Sequence, residues 1–138
     1  MFASDLRFGH KYENIFINDY LKNPDDIIRP SGFFSPYDMM VSGKTYEVKS
    51  DRMAYKTGNM VIEASCNGKA SGIATTEADF WAYFVVISEE EYDLYLIPTK
   101  YIKDLIEIKH FNLTKGGDDG RAEMYLLSIK TFFKSFKI

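Results

Sequence analysis

Residues 38–49 read Asp-Met-Met-Val-Ser-Gly-Lys-Thr-Tyr-Glu-Val-Lys, and three of them carry groups suited to one chemistry. Asp38 and Glu47 offer hard oxygen donors, and Lys49 adds a cation two residues later. Two carboxylates held together repel unless a proton or a cation sits between them. Mg2+, with Mn2+ as a substitute, prefers such oxygen ligands and keeps several waters of its own. An ion of this kind polarises a phosphodiester, lowers the pKa of a bound water and shields the leaving oxyanion. A lysine beside it can orient or deprotonate the attacking water, or stabilise the charge of the transition state. The chemistry implied is hydrolysis of a phosphodiester.

A hairpin is needed to bring the three groups together. The alternating runs Tyr37–Val41 and Lys44–Lys49 predict two strands joined by Ser42-Gly43. With a two-residue turn, Val41 faces Lys44 and Asp38 faces Glu47. Lys49 shares the face of Glu47, while Tyr46 and Val48 point the other way. A turn at Gly43-Lys44 sets Asp38 opposite Lys49 and keeps all three on one face. A three-residue loop removes Asp38 from it. The same residues also suit an unspecialised surface hairpin in which Lys49 pairs with Glu47 or Asp38 in solvent.

The rest of the chain supplies the frame. Phe8, Tyr12, Ile15, Phe16 and Tyr20 recur at helical spacing and predict a helix from Asp5 to Leu21, capped by Ser4 or Asp5 and ended before Pro24. A third strand is expected at Asn59–Ser65, beside the second, and a loop over 66–72. Thr75 or Thr76 would cap a short helix over 77–83, with strands following at 83–88 and 94–97. A helix from Pro98 to Ile108, a flexible loop over 115–121 and a strand over 122–129 complete the order α-βββ-α-ββ-α-β. This predicts an α/β chain, residues 1–138 forming one domain with a mixed sheet flanked by helices.

Composition narrows the class. The chain is 46% hydrophobic and 27% charged, ordinary for a globular domain. No apolar run approaches the roughly 20 residues that span a bilayer, so no membrane partner is expected. The N-terminus lacks the apolar stretch of a secretory signal, and the single Cys66 cannot form an internal disulfide. An intracellular, cytoplasmic setting is expected. The net charge of −3 is unevenly spread: residues 70–108 hold eight acidic and two basic side chains. Residues 44–69 hold five basic and three acidic, and residues 109–138 six and three, leaving mildly basic segments able to face phosphates.

Pro36-Tyr37-Asp38, eight residues, then Glu47-Val48-Lys49 resembles the PD-(D/E)XK nuclease signature, with Tyr37 inserted between the proline and the aspartate. The continuation through Gly58-Asn59, residues 62–65 and residues 68–84 resembles small phage and large-virus members of that superfamily. Size and layout are similar to archaeal Holliday-junction resolvases, and the resemblance covers roughly residues 5–97. It implies a restriction-endonuclease-like core (α-βββ-α-β) and a Mg2+-dependent DNA endonuclease of phage or viral origin, acting on branched DNA. Asp38 and Glu47 would be metal ligands, helped by the Val48 carbonyl, with Lys49 in the catalytic lysine position. Resolvase-like members add a glutamate from the first helix, and Glu13 lies in the corresponding place. A homodimer presenting two sites is expected, as in the resolvases. Alternatives are a site-specific restriction or homing endonuclease, a catalytically silent DNA-binding module, and a small-molecule domain, for which no glycine-rich phosphate loop is present.

Weaker candidates surround this set. Lys44, Arg52, Lys56 and Lys69 are expected to hold the DNA backbone. Ser71, Thr75 and Thr76 precede the expected helix N-terminus, where free N–H groups attract phosphate. Glu63 is a candidate further ligand or a salt-bridge partner for Lys49. Phe80, Trp81, Tyr83 and Phe84 read as core, Cys66 as a buried thiol, and the aromatic tail over 130–138 as an edge closing the core or a dimer contact. His10 and His110 stand alone.

Overall fold

In the computed structural model, which describes residues 2–30 and 36–138, Ser42 and Gly43 both adopt left-handed backbone angles (φ 52° and 79°). A two-residue hairpin turn demands this. Serine tolerates it here because its N–H and hydroxyl both donate to Asp26 Oδ2, at 2.9 and 3.3 Å. The turn joins β1 (Met39–Val41) to β2 (Lys44–Asp51), with Val41 facing Lys44 and Met39 facing Tyr46. That is the register of the two-residue loop.

The chain then leaves the sheet. Asp51 Oδ1 accepts the N–H groups of Met53 and Ala54 at 2.8 and 3.0 Å, capping a one-turn helix, α2 (Ala54–Thr57). Gly58, at φ 76°, closes that helix. This reversal carries β3 (Asn59–Cys66) into a second sheet, so the expected pairing of the third strand with the second does not form. Instead β2 pairs in parallel with β5 (Phe80–Val86), and β6 (Tyr92–Pro98) adds antiparallel to β5. A strand of consecutive apolar residues needs cover on both faces, which the middle of a sheet provides. Trp81 to Val86 are accordingly all buried.

The first sheet runs β1-β2-β5-β6. The second contains β4 (Lys69–Ala70), β7 (Thr114–Gly116) and β8 (Ala122–Ser128) in the antiparallel order β4-β3-β8-β7. Three sequence expectations change accordingly. The segment over 66–72 is a hairpin turning on Asn67 and Gly68, both at positive φ, rather than a loop. No α-helix follows Thr76, because the apolar run from Phe80 is recruited as a strand. The loop over 115–121 contributes to β7 and a short 3-10 turn at Asp118–Gly120.

Helix α1 (Phe2–Ile15) starts before Ser4 and Asp5, which therefore lie inside it rather than capping it. It runs into a π-helical turn at Phe16–Tyr20, and Lys22 and Asn23 then reverse the chain at positive φ ahead of Pro24. Helix α3 (Thr99–Lys109) follows β6, and α4 (Ile129–Phe132) follows β8.

Alternation along the first sheet builds two cores. Ala82, Phe84, Val86 and Leu94 pack with Tyr12, Phe16 and Ile17 of α1 and its π-turn. Trp81, Tyr83, Val85 and Ile97 pack the other way, against Met60, Ile62 and Leu127 of the second sheet, with Ile102 and Phe133. Phe133 is fully buried, so the aromatic tail closes this inter-sheet core. The molecule is thus one small α/β domain with one mixed and one antiparallel sheet. Among the described residues no helix is long and apolar enough to cross a membrane.

Candidate metal centre and adjoining cleft

β1 is only three residues long, so among the described residues the edge of β2 beyond Tyr46 has no strand partner on that side. Asp38 fills the gap. Its N–H donates to the Tyr46 carbonyl at 2.9 Å, and its Oδ2 accepts the Val48 N–H at 2.7 Å. The side chain therefore substitutes for a longer β1. Asp38 does not form the ladder pair opposite Glu47 that the hairpin alone predicts, yet its carboxylate still lies against β2. The Val48 carbonyl shares the strand edge of its own N–H, and so lies on the Asp38 side.

Glu47 and Lys49 alternate onto the face of Trp81. Lys49 Nζ is 3.4 Å from Glu47 Oε2 and 5.4 Å from the centroid of the Trp81 ring, and Trp81 faces Glu47 across the β2–β5 ladder. The buried Trp81 Nε1 has no hydrogen-bond partner among the described residues. Glu13 approaches from α1.

The electrostatics show that these acids feel one another. Burial pushes the Asp38 carboxyl up, against the Val48 N–H, Lys49 and Arg29, which pull it down. Burial raises Glu47 too; Lys49 opposes this, while Asp38 and Glu13 add to it. Glu13 is raised by burial and then by Asp38, with Arg29 and His10 lowering it. Burial is thus the first reason that all three carboxyls hold their protons more tightly than usual, and at Glu13 and Glu47 the charge of a neighbouring acid adds to it.

Such a donor set fits a hard dication in its chemistry: all oxygen, crowded and under-neutralised. It is not closed as it stands, since among the described residues no three acidic, imidazole or thiol side chains are gathered tightly enough to hold a metal ion. As the side chains stand, Asp38 Oδ2 is taken by the Val48 N–H and Glu47 Oε2 by the Lys49 ammonium.

Beside Lys49 opens a cleft of about 580 Å3 between the two sheets, lined among others by Phe8, Arg52, Glu63 and Trp81. Arg52 lies over Phe8, its guanidinium carbon 3.7 Å from the ring centroid. Glu63 lines this cleft but accepts a hydrogen bond from the Ser71 hydroxyl at 2.7 Å, and forms no ion pair with Lys49. Gly72 makes that pairing possible: at φ 54°, with the Glu63 carbonyl 2.2 Å from where a Cβ would sit, no other residue fits.

The remaining candidates divide. Arg52 and Lys56 flank the cleft region and its continuation toward Ser88. Lys44 does not: its ammonium sits 5.8 Å over Phe80, with Tyr46, on the opposite face of β2. Lys69 is exposed on β4. Ser71 is engaged by Glu63, and Thr76 is buried, its hydroxyl accepting the Ala78 N–H at 3.2 Å. Thr75 is exposed. With no α-helix after them, these three have no phosphate-attracting N-terminus to serve. Cys66 is half-buried rather than enclosed.

Two participants escape a motif search. Arg29 lowers both Asp38 and Glu13, though nothing in its local sequence marks it. Asp51 Oδ2 accepts the Tyr83 hydroxyl at 2.6 Å, and that hydroxyl accepts the Val61 N–H at 2.9 Å, tying β2 to β3.

Comparison with protein-family models, with curated proteins and with solved structures finds no match to this chain.

Proposed function

We propose that this chain is a metal-dependent DNA endonuclease built on a restriction-endonuclease-like core of the PD-(D/E)XK type. The observation that carries the reading is the burial of Glu13, Asp38 and Glu47 close enough together that Asp38 raises the other two, with Lys49 beside Glu47 and lining a cleft. Burying three neighbouring acids that have few donors is costly, and a bound dication is a group that offsets it. In support of the core, a helix backs the sheet behind an acid-bearing hairpin, and β5 runs parallel to β2.

Glu13, Asp38 and Glu47 would hold Mg2+, with the Val48 carbonyl at the same edge. When bound, the ion supplies a more acidic water and shields developing negative charge. Lys49, resting on Trp81, aligns the attacking water with the scissile phosphorus and stabilises the added negative charge on the phosphoryl oxygens. Arg52 holds a neighbouring phosphate. A twofold homodimer would bring a second site to the other strand.

The test is incubation of supercoiled plasmid, linear duplex and a synthetic four-way junction with Mg2+ or Mn2+. Cleavage is expected, and Glu47→Gln, Asp38→Asn and Lys49→Ala should each cut it by about a thousandfold or more while DNA binding persists. The absence of a closed ligand set favours a second reading, a catalytically silent DNA-binding module. Binding by the wild-type chain without cleavage under either metal would decide for that.

A further inference from the structure

We propose that the pocket between α2, β6 and α4 is a binding site for a nucleoside 5′-monophosphate, separate from the carboxylate cluster and independent of the endonuclease reading.

The pocket encloses about 430 Å3, a size typical of small-molecule sites, and shares no lining residue with the cleft beside Lys49. Its apolar surface comes from the buried Ala54 and Val85 together with Ile129. The charged residues that line it are Lys130, Lys134, Lys137 and Asp93. Backbone contacts fix this frame. The Ile129 N–H donates to the Gly58 carbonyl at 2.9 Å, which ties α4 to the end of α2. Phe133, fully buried, anchors the stretch between Lys130 and Lys134. Lys137 pairs with Tyr95 of β6 in a single antiparallel bridge.

The charges call for a dianion. Lys137 Nζ lies 3.4 Å from Asp93 Oδ1, while among the described residues Lys130 and Lys134 have no ion-pair partner. A phosphomonoester, carrying about −1.5 to −2 at neutral pH, matches both free ammonium groups, where a carboxylate matches one. Tyr55 stands 60% exposed beside the apolar surface, which suits a planar base laid against its ring.

Tyr95 calls for a polar middle. It is only 7% exposed and lines the pocket, yet among the described residues its hydroxyl has no hydrogen-bond partner. Burial pushes this phenol up, Asp93 adds to the rise and Lys137 opposes it, so both charges lie near the hydroxyl. A buried polar group without a partner is costly, and a sugar hydroxyl or base edge supplies one. Phosphate, sugar and base thus each have a counterpart in one pocket.

The experiment is isothermal titration calorimetry of the wild-type chain, in chelator, with AMP, CMP, GMP and UMP. Their nucleosides, ribose 5-phosphate and inorganic phosphate are titrated alongside. At least one nucleotide is expected to bind about tenfold tighter than each of these fragments. Tyr55→Ala should weaken it about tenfold and leave ribose 5-phosphate unchanged. Lys130→Ala with Lys134→Ala should bring the nucleotide down to the affinity of its nucleoside. Tyr95→Phe, which keeps the ring and its packing, should cost about fivefold. An unchanged Tm confirms that each variant folds. A 5′-phosphorylated single strand that binds tighter than both AMP and its 5′-hydroxyl twin would place the nucleotide at a strand end; otherwise the occupant is free nucleotide. No binding of any nucleotide at millimolar concentration, a fragment that binds as tightly as all four, or affinity untouched by the variants overturns the proposal. None of these results bears on cleavage at the carboxylate cluster, so the endonuclease reading stands or falls separately.

Discussion

Glu47 and Asp51 lie on the same face of β2, four residues apart, and live in opposite circumstances. Asp51 is met by three donors: the Met53 and Ala54 N–H groups and the Tyr83 hydroxyl. Among the described residues Glu47 has one, the Lys49 ammonium at 3.4 Å, and is pressed by the negative charge of Asp38 and Glu13. A half-buried acid surrounded by donors is part of the scaffold, where it caps a helix and ties two sheets together. One left short of donors and crowded by its own kind is poised for something the protein does not itself supply. The difference separates architecture from site within a single strand.

The harshest way to break this contrast is at Asp51. Asp51→Ala removes the cap of α2 and strands the buried Tyr83 hydroxyl without its acceptor. A loss of about 2–4 kcal/mol is expected, measured as a fall in thermal or denaturant midpoint. A variant as stable as wild type would mean that the three donors are incidental and that Asp51 belongs with Glu47 after all.

At the other pole, removing charge should help. Burial raises the native pKa of Glu13, Asp38 and Glu47, so the folded chain keeps protons that the unfolded chain releases. Their penalty is absent below the ordinary carboxylate range, grows as pH rises through the interval up to the raised native values, and is complete above it. Asp38→Asn retains an oxygen for the Val48 N–H and deletes one of the charges. In chelator at neutral pH its Tm is expected to exceed that of wild type by a few degrees, with a flatter decline from acid to neutral pH. Added Mg2+ should raise the wild-type midpoint and close that gap. Scanning fluorimetry across pH with and without Mg2+ reads both effects, and a variant less stable than wild type at neutral pH would refute the crowding argument.

The hairpin was legible because its determinants are local. Ser42-Gly43 sets the register, strand alternation sets the faces, and Glu47 and Lys49 follow directly. Asp38 was legible only as a member of the group, since its detailed position depends on β1 stopping short and leaving the Val48 N–H to be satisfied. The departure of β3 into a second sheet was not legible. It follows from Asp51 capping a one-turn helix and from the competition of residues 80–86 for the edge of β2, a contest between segments far apart in sequence. The same contest explains the absent helix after Thr76, whose capping residues were sound locally and lost to burial of Trp81–Val86. Arg29 could not be found either, because its role is purely spatial.

Glu63 sharpens the comparison as the intermediate case. It lines the cleft with Lys49, yet its carboxylate is held by one donor of its own, the Ser71 hydroxyl at 2.7 Å, across the close contact of Gly72 with its backbone. One hydroxyl is less than Asp51 enjoys. If donor supply sorts these acids, Ser71→Ala should cost only about 1 kcal/mol, the smallest effect of the series, because the half-buried carboxylate can regain water at the cleft. DNA affinity should not change, since the hydroxyl faces Glu63 and only a one-turn 3-10 helix, Gly72–Ala74, follows it. Denaturant midpoints and duplex binding, measured side by side, test this. A severe drop in affinity with little loss of stability would return Ser71 to the phosphate-binding surface and make Glu63, not Asp38, the acid whose setting needs rethinking.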